Sequence, residues 1–203
     1  MNSQVCAVIL AAGEGKRMQS DSPKVMCNVL FKPMVEWVAD AVAKSGISSI
    51  CTVTGYGSDI VISHLGDTYK NTDLQLTYSL QQQRLGTGHA VAQASDFLSG
   101  FCGGNTLILC GDAPFISKDD IEGALKSHLS DSYAATVISA KLPDPSGYGR
   151  ILRDGDKVLG IAEEKDATQE QKRIDEVNSG AYWFQTDELL SVLGSIQNNN
   201  AQG

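Results

Sequence analysis

Short apolar runs alternate with segments of helical periodicity along most of the chain. The first run, Val5–Leu10, is rich in β-branched residues and apolar on both faces, which is typical of a strand buried inside a parallel sheet. A helical pattern follows at Pro33–Ala43, and Gly46 marks its end. The pattern predicts strands at 5–10, 50–54, 74–80, 105–110 and 133–140, and helices at 33–43, 59–65, 88–97 and 117–128. We therefore expect an α/β fold with a mostly parallel, twisted sheet flanked by helices.

The pattern changes after Lys141, where proline and glycine become frequent. Short strands are predicted at 150–153 and 158–163, a polar turn or short helix at 166–173, a β-prone run at 177–184 and a closing helix at 187–193. These segments favour a smaller β-rich lobe. We expect one domain over residues 1–203, with a larger part at about 1–140 and the lobe at about 141–203.

Composition narrows the classes of function. With 203 residues, 42% of them hydrophobic and 20% charged, the chain resembles one ordinary globular domain. A formal net charge of −8 argues against non-specific binding to nucleic acid or to anionic membranes, because both require basic surface. The N-terminal apolar run is too short to span a bilayer and no basic segment precedes it, so we expect neither a signal peptide nor a membrane anchor.

Cysteine and histidine spacing indicates no metal cluster. The five cysteines are odd in number, widely separated and never arranged as Cys-x-x-Cys, so neither a disulfide framework nor a zinc site is expected. The three histidines share no metal-ligand spacing with one another or with cysteine. We expect reduced thiols and a cytoplasmic location.

The turn after the first strand carries glycines and basic side chains. Gly13 and Gly15 allow close approach of backbone N–H groups to a ligand, while Arg17 and Lys24 bring positive charge to the same strand end. This combination suits the phosphates of a nucleoside triphosphate. An ordinary strand-to-helix turn with solvated Lys and Arg side chains is the alternative.

Two commoner glycine loops do not fit this segment. A P-loop requires glycine five residues before its Gly-Lys pair, but Leu10 precedes Gly15 at that distance and Arg17 follows the pair. A dinucleotide fingerprint requires a third glycine where Met18 stands. The loop is therefore of another kind.

Two further strand ends carry polar candidates. The loop from Gln81 to Thr87 follows a predicted strand, and Thr87 is positioned to cap the next helix. A capped helix with a solvated loop is the alternative reading. Asp112 follows the strand at 105–110, where a carboxylate can reach bound phosphates and hold a hard cation, or else serve as a turn or N-cap residue. Because open parallel sheets bind ligands beyond the carboxyl ends of their strands, these positions are candidates for one site.

Several motifs together resemble the sugar-1-phosphate nucleotidyltransferases, and in particular the uridylyltransferase domain of the bacterial bifunctional N-acetylglucosamine-1-phosphate uridylyltransferase/glucosamine-1-phosphate acetyltransferases. They run in order along the whole chain: Leu-Ala-Ala-Gly-x-Gly-x-Arg-Met at 10–18 with Pro-Lys at 23–24, Leu-Gly-Thr-Gly-His-Ala at 85–90, Gly-Asp-Ala-Pro at 111–114, Asp-Pro-Ser-Gly-Tyr-Gly-Arg at 144–150, Glu-Glu-Lys-Asp-Ala at 163–167, Asn-Ser-Gly at 178–180 and Asn-Asn-Asn-Ala-Gln-Gly at 198–203.

The resemblance implies a Rossmann-like nucleotide-diphospho-sugar transferase fold and a reaction. The phosphate of N-acetylglucosamine 1-phosphate would attack the α-phosphorus of UTP, giving UDP-N-acetylglucosamine for cell-wall synthesis and pyrophosphate. No general base is required, because the second pKa of a phosphate monoester is about 6. Charge neutralisation by Mg²⁺, Arg17 and Lys24 would supply the catalysis.

The resemblance also assigns binding roles. Arg17 and Lys24 would contact the phosphates and Asp112 would bind Mg²⁺. The nucleotide would lie along Leu10, Ala11, Ala12 and Gly13, with its uracil at Gln81, Gly86 and Thr87, and the amino sugar would be held by Gly149, Glu163 and Asn178. Arg84 stands where the family usually has Gln, which leaves the base contact at that position open.

Alternatives to this activity are a nucleotide-binding module without turnover and a nucleotidyltransferase for another base or sugar. Family members continue past the Asn-Ala-Gln-Gly segment into a further helix and strand, a second magnesium ligand and a left-handed β-helix that carries acetyl transfer and trimer contacts. From the sequence given, we expect a monomer that does not acetylate glucosamine 1-phosphate.

Overall fold

The computed structural model describes residues 4–13, 22–83, 85–155 and 157–195. In its first half, the elements in chain order are β1 (Val5–Ala11), β2 (Asn28–Val29), β3 (Lys32–Pro33), α1 (Met34–Lys44), β4 (Ser49–Thr54), α2 (Ser58–Tyr69) and β5 (Gln75–Leu80). The second half contains α3 (Thr87–Ala92), α4 (Ser95–Ser99), β6 (Asn105–Cys110), α5 (Lys118–Ser130), β7 (Ala135–Lys141), β8 (Arg150–Asp154), β9 (Lys157–Ala162), β10 (Glu176–Gln185) and α6 (Thr186–Leu193).

One large sheet organises the described residues, in the order β5-β4-β1-β6-β10-β8-β9, with β7 also paired to β10. The neighbours β5, β4, β1 and β6 run parallel. Strand β10 is antiparallel to β6, β7 and β8, and β8 forms an antiparallel hairpin with β9. The predicted α/β class is confirmed, since parallel strands of the sheet alternate along the chain with flanking helices.

Helices cover both faces of the sheet, which explains why β1 is apolar on both sides. Ala7 and Ile9 point into a core formed with α1, α2 and α5, whereas Cys6 and Val8 point into a second core formed with α3, α4 and α6. All four side chains are fully buried. None of the helices in the described part of the chain has the length and apolarity needed to cross a lipid bilayer.

Two helix predictions need correction. The helix predicted at 88–97 is two short helices, α3 and α4, and the Ser95 hydroxyl donates to the Ala92 carbonyl at the break between them (2.7 Å). The prediction that Thr87 caps this helix is wrong, because Thr87 is the first residue of α3 and Gly86 occupies the cap position without a side-chain hydrogen bond. Gly86 has a φ of 98°, a backbone conformation that favours glycine.

The N-terminus of α5 is well capped. The Ser117 side chain accepts from the backbone N–H of Asp120 (3.2 Å), and the Asp120 carboxylate accepts from the backbone N–H of Ser117 (3.0 Å). This reciprocal pair is a capping box, which satisfies two backbone donors at the start of the helix. The predicted start of this helix at Ser117 is confirmed.

Candidate active site

The carboxyl ends of β1, β5 and β6 meet at an open cavity of about 280 Å³, which we call the strand-end cavity. Its position follows from the fold, because parallel strands end at one edge of the sheet and leave room there for a ligand. Its lining residues come from five separate segments of the chain: Leu10, Ala12, Gly13, Lys24, Val25, Gln81, Gly86, Thr87, Ala90, Cys110 and Asp112.

A charged pair lies at one side of this cavity. The Lys24 ammonium donates to Asp112 Oδ2 at 2.6 Å, although the two residues lie 88 positions apart in sequence. Lys24 belongs to a single helical turn at Lys24–Met26, and Asp112 lies just beyond the end of β6. Both side chains remain partly exposed, at 43% and 34%. An ammonium carries three N–H donors, so Lys24 can contact a further anion while it remains near Asp112.

The start of the glycine turn borders the same cavity. Ala12 is buried and Gly13 is exposed. A Cβ placed on Gly13 would meet no atom of the described residues within 4 Å. Packing inside the described part of the chain therefore does not require glycine at position 13. A ligand lying close against the backbone would require it, because a side chain would occupy the same space.

A buried amide also lines the strand-end cavity. Gln81 is only 6% exposed, and its backbone N–H donates to the Thr54 carbonyl at 2.8 Å. Its side-chain nitrogen Nε2 lies 3.2 Å from the Gly86 carbonyl oxygen and 3.0 Å from His89 Nδ1. The loop and the start of α3 thus fix the Gln81 side chain. Thr87 is exposed at the cavity.

A second group of candidate residues comes together at β8, β9 and β10, at one end of the large sheet. The Gly149 carbonyl accepts from the backbone N–H of Asn178 at 2.8 Å. A Cβ on Gly149 would lie 3.1 Å from Glu163 Oε1, so the Glu163 carboxylate packs directly against the glycine. Gly149, Glu163 and Asn178 are called the lobe triad below. Gly149 thus lies against both the Glu163 carboxylate and the backbone of Asn178.

The Asn178 side chain has a defined orientation. Its Oδ1 accepts from the Tyr182 hydroxyl at 2.8 Å and from the Gly180 backbone N–H at 3.0 Å. Burial raises the pKa of Tyr182, and the Glu163 carboxylate adds to the rise, so the phenol stays protonated as a donor. With Oδ1 occupied, the Asn178 NH₂ group is the part that can donate to a ligand.

Cys110 links the strand-end cavity to Gly180, whose backbone N–H donates to Asn178 of the lobe triad. It lines the cavity, and its thiol donates to the Gly180 carbonyl at 3.6 Å. Gly180 has a φ of 76°, and a Cβ there would lie 2.9 Å from the Cys110 sulfur. Burial, with a smaller contribution from Asp112, raises the pKa of Cys110 to about 11, so the group is a neutral thiol rather than a nucleophilic thiolate.

The family profile for nucleotidyl transferases matches residues 6–202. The chain belongs to the nucleotidyl transferase family.

Curated relatives align with this chain over nearly its whole length. The protein named "Bifunctional protein GlmU" from Halalkalibacterium halodurans is 46% identical over 198 residues, covering 97% of this chain and 42% of the relative. Proteins of the same name from Clostridium botulinum (strain Loch Maree) and Caldanaerobacter subterraneus are 45% and 44% identical, each covering 98% of this chain and 42% of the relative. The chain therefore spans less than half the length of the curated relatives it matches.

A solved structure from Bacillus anthracis, described as a glucose-1-phosphate thymidylyltransferase in complex with sucrose, has a TM-score of 0.82 to this chain. The likeness covers 95% of this chain and 76% of that chain at 21% sequence identity. At that identity the comparison shows a shared fold.

The sequence-predicted residues thus fall into two neighbouring groups. Most of the nucleotide candidates line the strand-end cavity, and the three sugar candidates form the lobe triad. Arg17, Gly15 and Arg84 lie outside the described residues, as do the last eight residues, 196–203.

Sequence reasoning missed three residues at these sites, namely His89, Cys110 and Tyr182. Of these, only His89 carried a local signal, because it stands in the first turn of a helix that follows a candidate loop.

Proposed function

We propose that the chain transfers the uridylyl group of UTP to N-acetylglucosamine 1-phosphate, forming UDP-N-acetylglucosamine for cell-wall synthesis and releasing pyrophosphate. The observation that carries the proposal is the juxtaposition of the strand-end cavity and the lobe triad, which are connected through Gly180. The Gly180 carbonyl accepts from the cavity residue Cys110, and the Gly180 N–H donates to Asn178 of the triad. A transferase of this kind must hold two anionic substrates side by side, and the two sites would do so. The motif resemblance and the 44–46% identity to the curated relatives support the same assignment.

In this proposal the larger part of the chain, about 1–140, binds the nucleotide. The backbone from Leu10 through Ala11 and Ala12 to Gly13 would approach the phosphates and ribose. Gln81 would present its amide to the uracil, with Gly86 and Thr87 bordering the base. These residues lie at or just after the ends of β1 and β5, where an α/β sheet ordinarily binds its ligand.

The smaller lobe would bind the acceptor. The Glu163 carboxylate can accept from a sugar hydroxyl, and the Asn178 NH₂ can donate to a hydroxyl or carbonyl oxygen. Gly149 leaves the space in which the Glu163 carboxylate lies. A carboxylate acceptor and an amide donor suit the hydroxyl groups and acetamido carbonyl of an amino sugar.

Asp112 fits the role of a magnesium ligand, since a carboxylate is a hard oxygen donor. No cluster of three or more His, Cys, Asp or Glu side chains in the described part of the chain could enclose a metal. The ion would therefore share Asp112 with substrate phosphates and water, which is the common arrangement for Mg²⁺. When bound, Mg²⁺ would neutralise charge on the phosphates.

The side chains of the protein would contribute by binding the two substrates and aligning their reacting groups. Lys24 would donate to a phosphate oxygen while its contact with Asp112 holds it at the cavity, and Arg17 would add a second positive charge. The acceptor phosphate is already largely ionised near pH 7, so the site needs no general base. Alignment of the two reacting groups and charge neutralisation then account for the acceleration.

The intracellular substrates of this proposal favour a cytoplasmic location, and no disulfide bond joins cysteines in the described part of the chain.

Pyrophosphate release tests the proposal. The purified chain is incubated with UTP, Mg²⁺ and a panel of sugar 1-phosphates, and N-acetylglucosamine 1-phosphate should give the highest kcat/KM. Asp112→Asn should raise the Mg²⁺ concentration needed for half-maximal rate while UTP alone still binds. A higher rate with another base or sugar would contradict the assignment. UTP binding without any pyrophosphate release would indicate a nucleotide-binding module instead.

A further inference from the structure

The hydrogen bonds of Gln81 define which end of its amide is left for a ligand. Its Nε2 lies 3.2 Å from the Gly86 carbonyl oxygen, and a carbonyl can only accept a hydrogen bond. The nitrogen must therefore face Gly86. The amide oxygen Oε1 is then the group left for a ligand in the strand-end cavity, which Gln81 lines.

His89 contacts the same nitrogen. Its Nδ1 lies 3.0 Å from Gln81 Nε2, so a hydrogen bond forms only if Nδ1 is unprotonated. On the other side of the ring, His89 Nε2 lies 3.3 Å from Gln93 Nε2, which also donates to the His89 carbonyl at 3.1 Å. A neutral imidazole accepts at one nitrogen only. The two amides therefore compete for one acceptor.

Burial decides this competition. Gln81 is 6% exposed, whereas Gln93 is only partly buried at the end of α3. Leaving a buried N–H without an acceptor destabilises the folded protein more than leaving a partly exposed one, because water can accept a hydrogen bond from the exposed group. The contact to Gln81 is also the shorter of the two. His89 therefore carries its proton on Nε2 and accepts from Gln81 at Nδ1.

We propose that His89 is a positioning residue for base selection, because its Nδ1, together with the Gly86 carbonyl, keeps the amide oxygen of Gln81 directed to the nucleobase. An amide oxygen pairs with the N3–H of uracil, whereas cytosine presents an acceptor at that position. A rotated Gln81 amide would present N–H instead and would favour cytosine. The inference rests on the proposed use of UTP and goes beyond it by naming the residue that sets the base preference.

Binding of UTP and CTP to His89 variants tests the proposal by calorimetric titration with Mg²⁺. His89→Leu should lower the ratio of UTP affinity to CTP affinity by about tenfold, which is about 1.4 kcal/mol. His89→Asn should restore most of the ratio, because the amide oxygen of Asn can accept from Gln81 near the position of Nδ1. His64→Leu is the matched control, since His64 contacts Glu36 rather than the cavity, and its ratio should stay within about twofold of wild type.

An independent measurement needs no nucleotide. Long-range ¹H–¹⁵N NMR of the free protein should show His89 with a protonated Nε2 and an unprotonated Nδ1. An unchanged UTP to CTP ratio in a folded His89→Leu variant, or a protonated Nδ1, would overturn the proposal. If the wild-type chain binds no uridine nucleotide, the proposed function is wrong, while the NMR measurement still decides whether His89 accepts from Gln81.

Discussion

Under the proposed function, replacing Gly149 with alanine should damage the acceptor side of the site while leaving the nucleotide side intact. The new Cβ would lie 2.8 Å from Ile161 Cγ2 and 3.1 Å from Glu163 Oε1, both shorter than ordinary van der Waals contact. The backbone at position 149 cannot easily shift away from these side chains, because the Gly149 carbonyl accepts a hydrogen bond from the Asn178 N–H at 2.8 Å. The two neighbouring side chains must move instead.

The magnitude follows from those two contacts. Overpacking typically costs about 1–3 kcal/mol of folding free energy, and we expect about 1 kcal/mol because Ile161 is partly exposed and can shift outward. A displaced Glu163 would lose its proposed charged hydrogen bond to the sugar, and such a bond contributes about 1.5–3 kcal/mol. Since every 1.4 kcal/mol corresponds to tenfold, the affinity for the sugar 1-phosphate should fall at least about tenfold.

The assay compares KM for N-acetylglucosamine 1-phosphate with the Kd for UTP in Gly149→Ala and in a matched variant, Gly160→Ala. A Cβ on Gly160, in the neighbouring strand β9, meets no atom of the described residues within 4 Å. Gly160→Ala should therefore leave both constants close to wild type. Wild-type sugar affinity in Gly149→Ala, or an equal loss in Gly160→Ala, would refute the steric argument.

Three further predictions concern other residues. Arg17→Ala should lower kcat by at least about 100-fold with native far-UV circular dichroism, as expected for a lost electrostatic donor, and unchanged turnover would remove Arg17 from the mechanism. Ser117→Ala should lower the free energy of unfolding in urea by about 1 kcal/mol because the capping box is lost, whereas Ser117→Asp should retain most of it. The Arg153 guanidinium, together with a hydrogen bond from Ser139, holds the pKa of Glu176 at about 2, below its usual 4.5. Because the folded pKa is the lower one, this stabilisation is complete above pH 4.5 and is lost as the pH falls toward 2. Arg153 is 37% exposed, so solvent screens its attraction to Glu176. Glu176→Gln should therefore lower the free energy of unfolding by about 1–2 kcal/mol at pH 7 and flatten the acid side of the stability profile. An unaltered profile would contradict the assignment.

The sequence alone determined the class of fold and the positions of its main elements. Residues Val5–Leu10 were predicted as a doubly buried strand because their apolar side chains are continuous rather than alternating, and β1 does lie between two cores. Ser117 was predicted as a helix start because Ser with nearby acidic residues satisfies backbone donors locally. These are short-range properties, so neighbouring residues carry enough information to predict them.

The strand ends were predictable for the same reason, but the contacts made there were not. Gly13, Gln81 and Asp112 were selected because each follows a predicted strand, and the parallel order of β5, β4, β1 and β6 brings them to one edge. Two contacts at these strand ends could not be predicted, namely the pairing of Lys24 with Asp112 and the contact of His89 with Gln81. Both depend on side-chain directions, which hydrophobic periodicity does not encode.

Tertiary structure decided the conformation of the loop at Gly86 and the assembly of the acceptor side. Local preference favoured Thr87 as a helix cap, but the loop that surrounds Gln81 places Gly86 at a φ of 98° and begins α3 at Thr87 itself. Gly149, Glu163 and Asn178 meet only because β10 crosses from β6 to β8 and carries Asn178 past Gly149. Because β10 pairs with β6 and β8, which lie far from it in sequence, these contacts are not specified by any local segment.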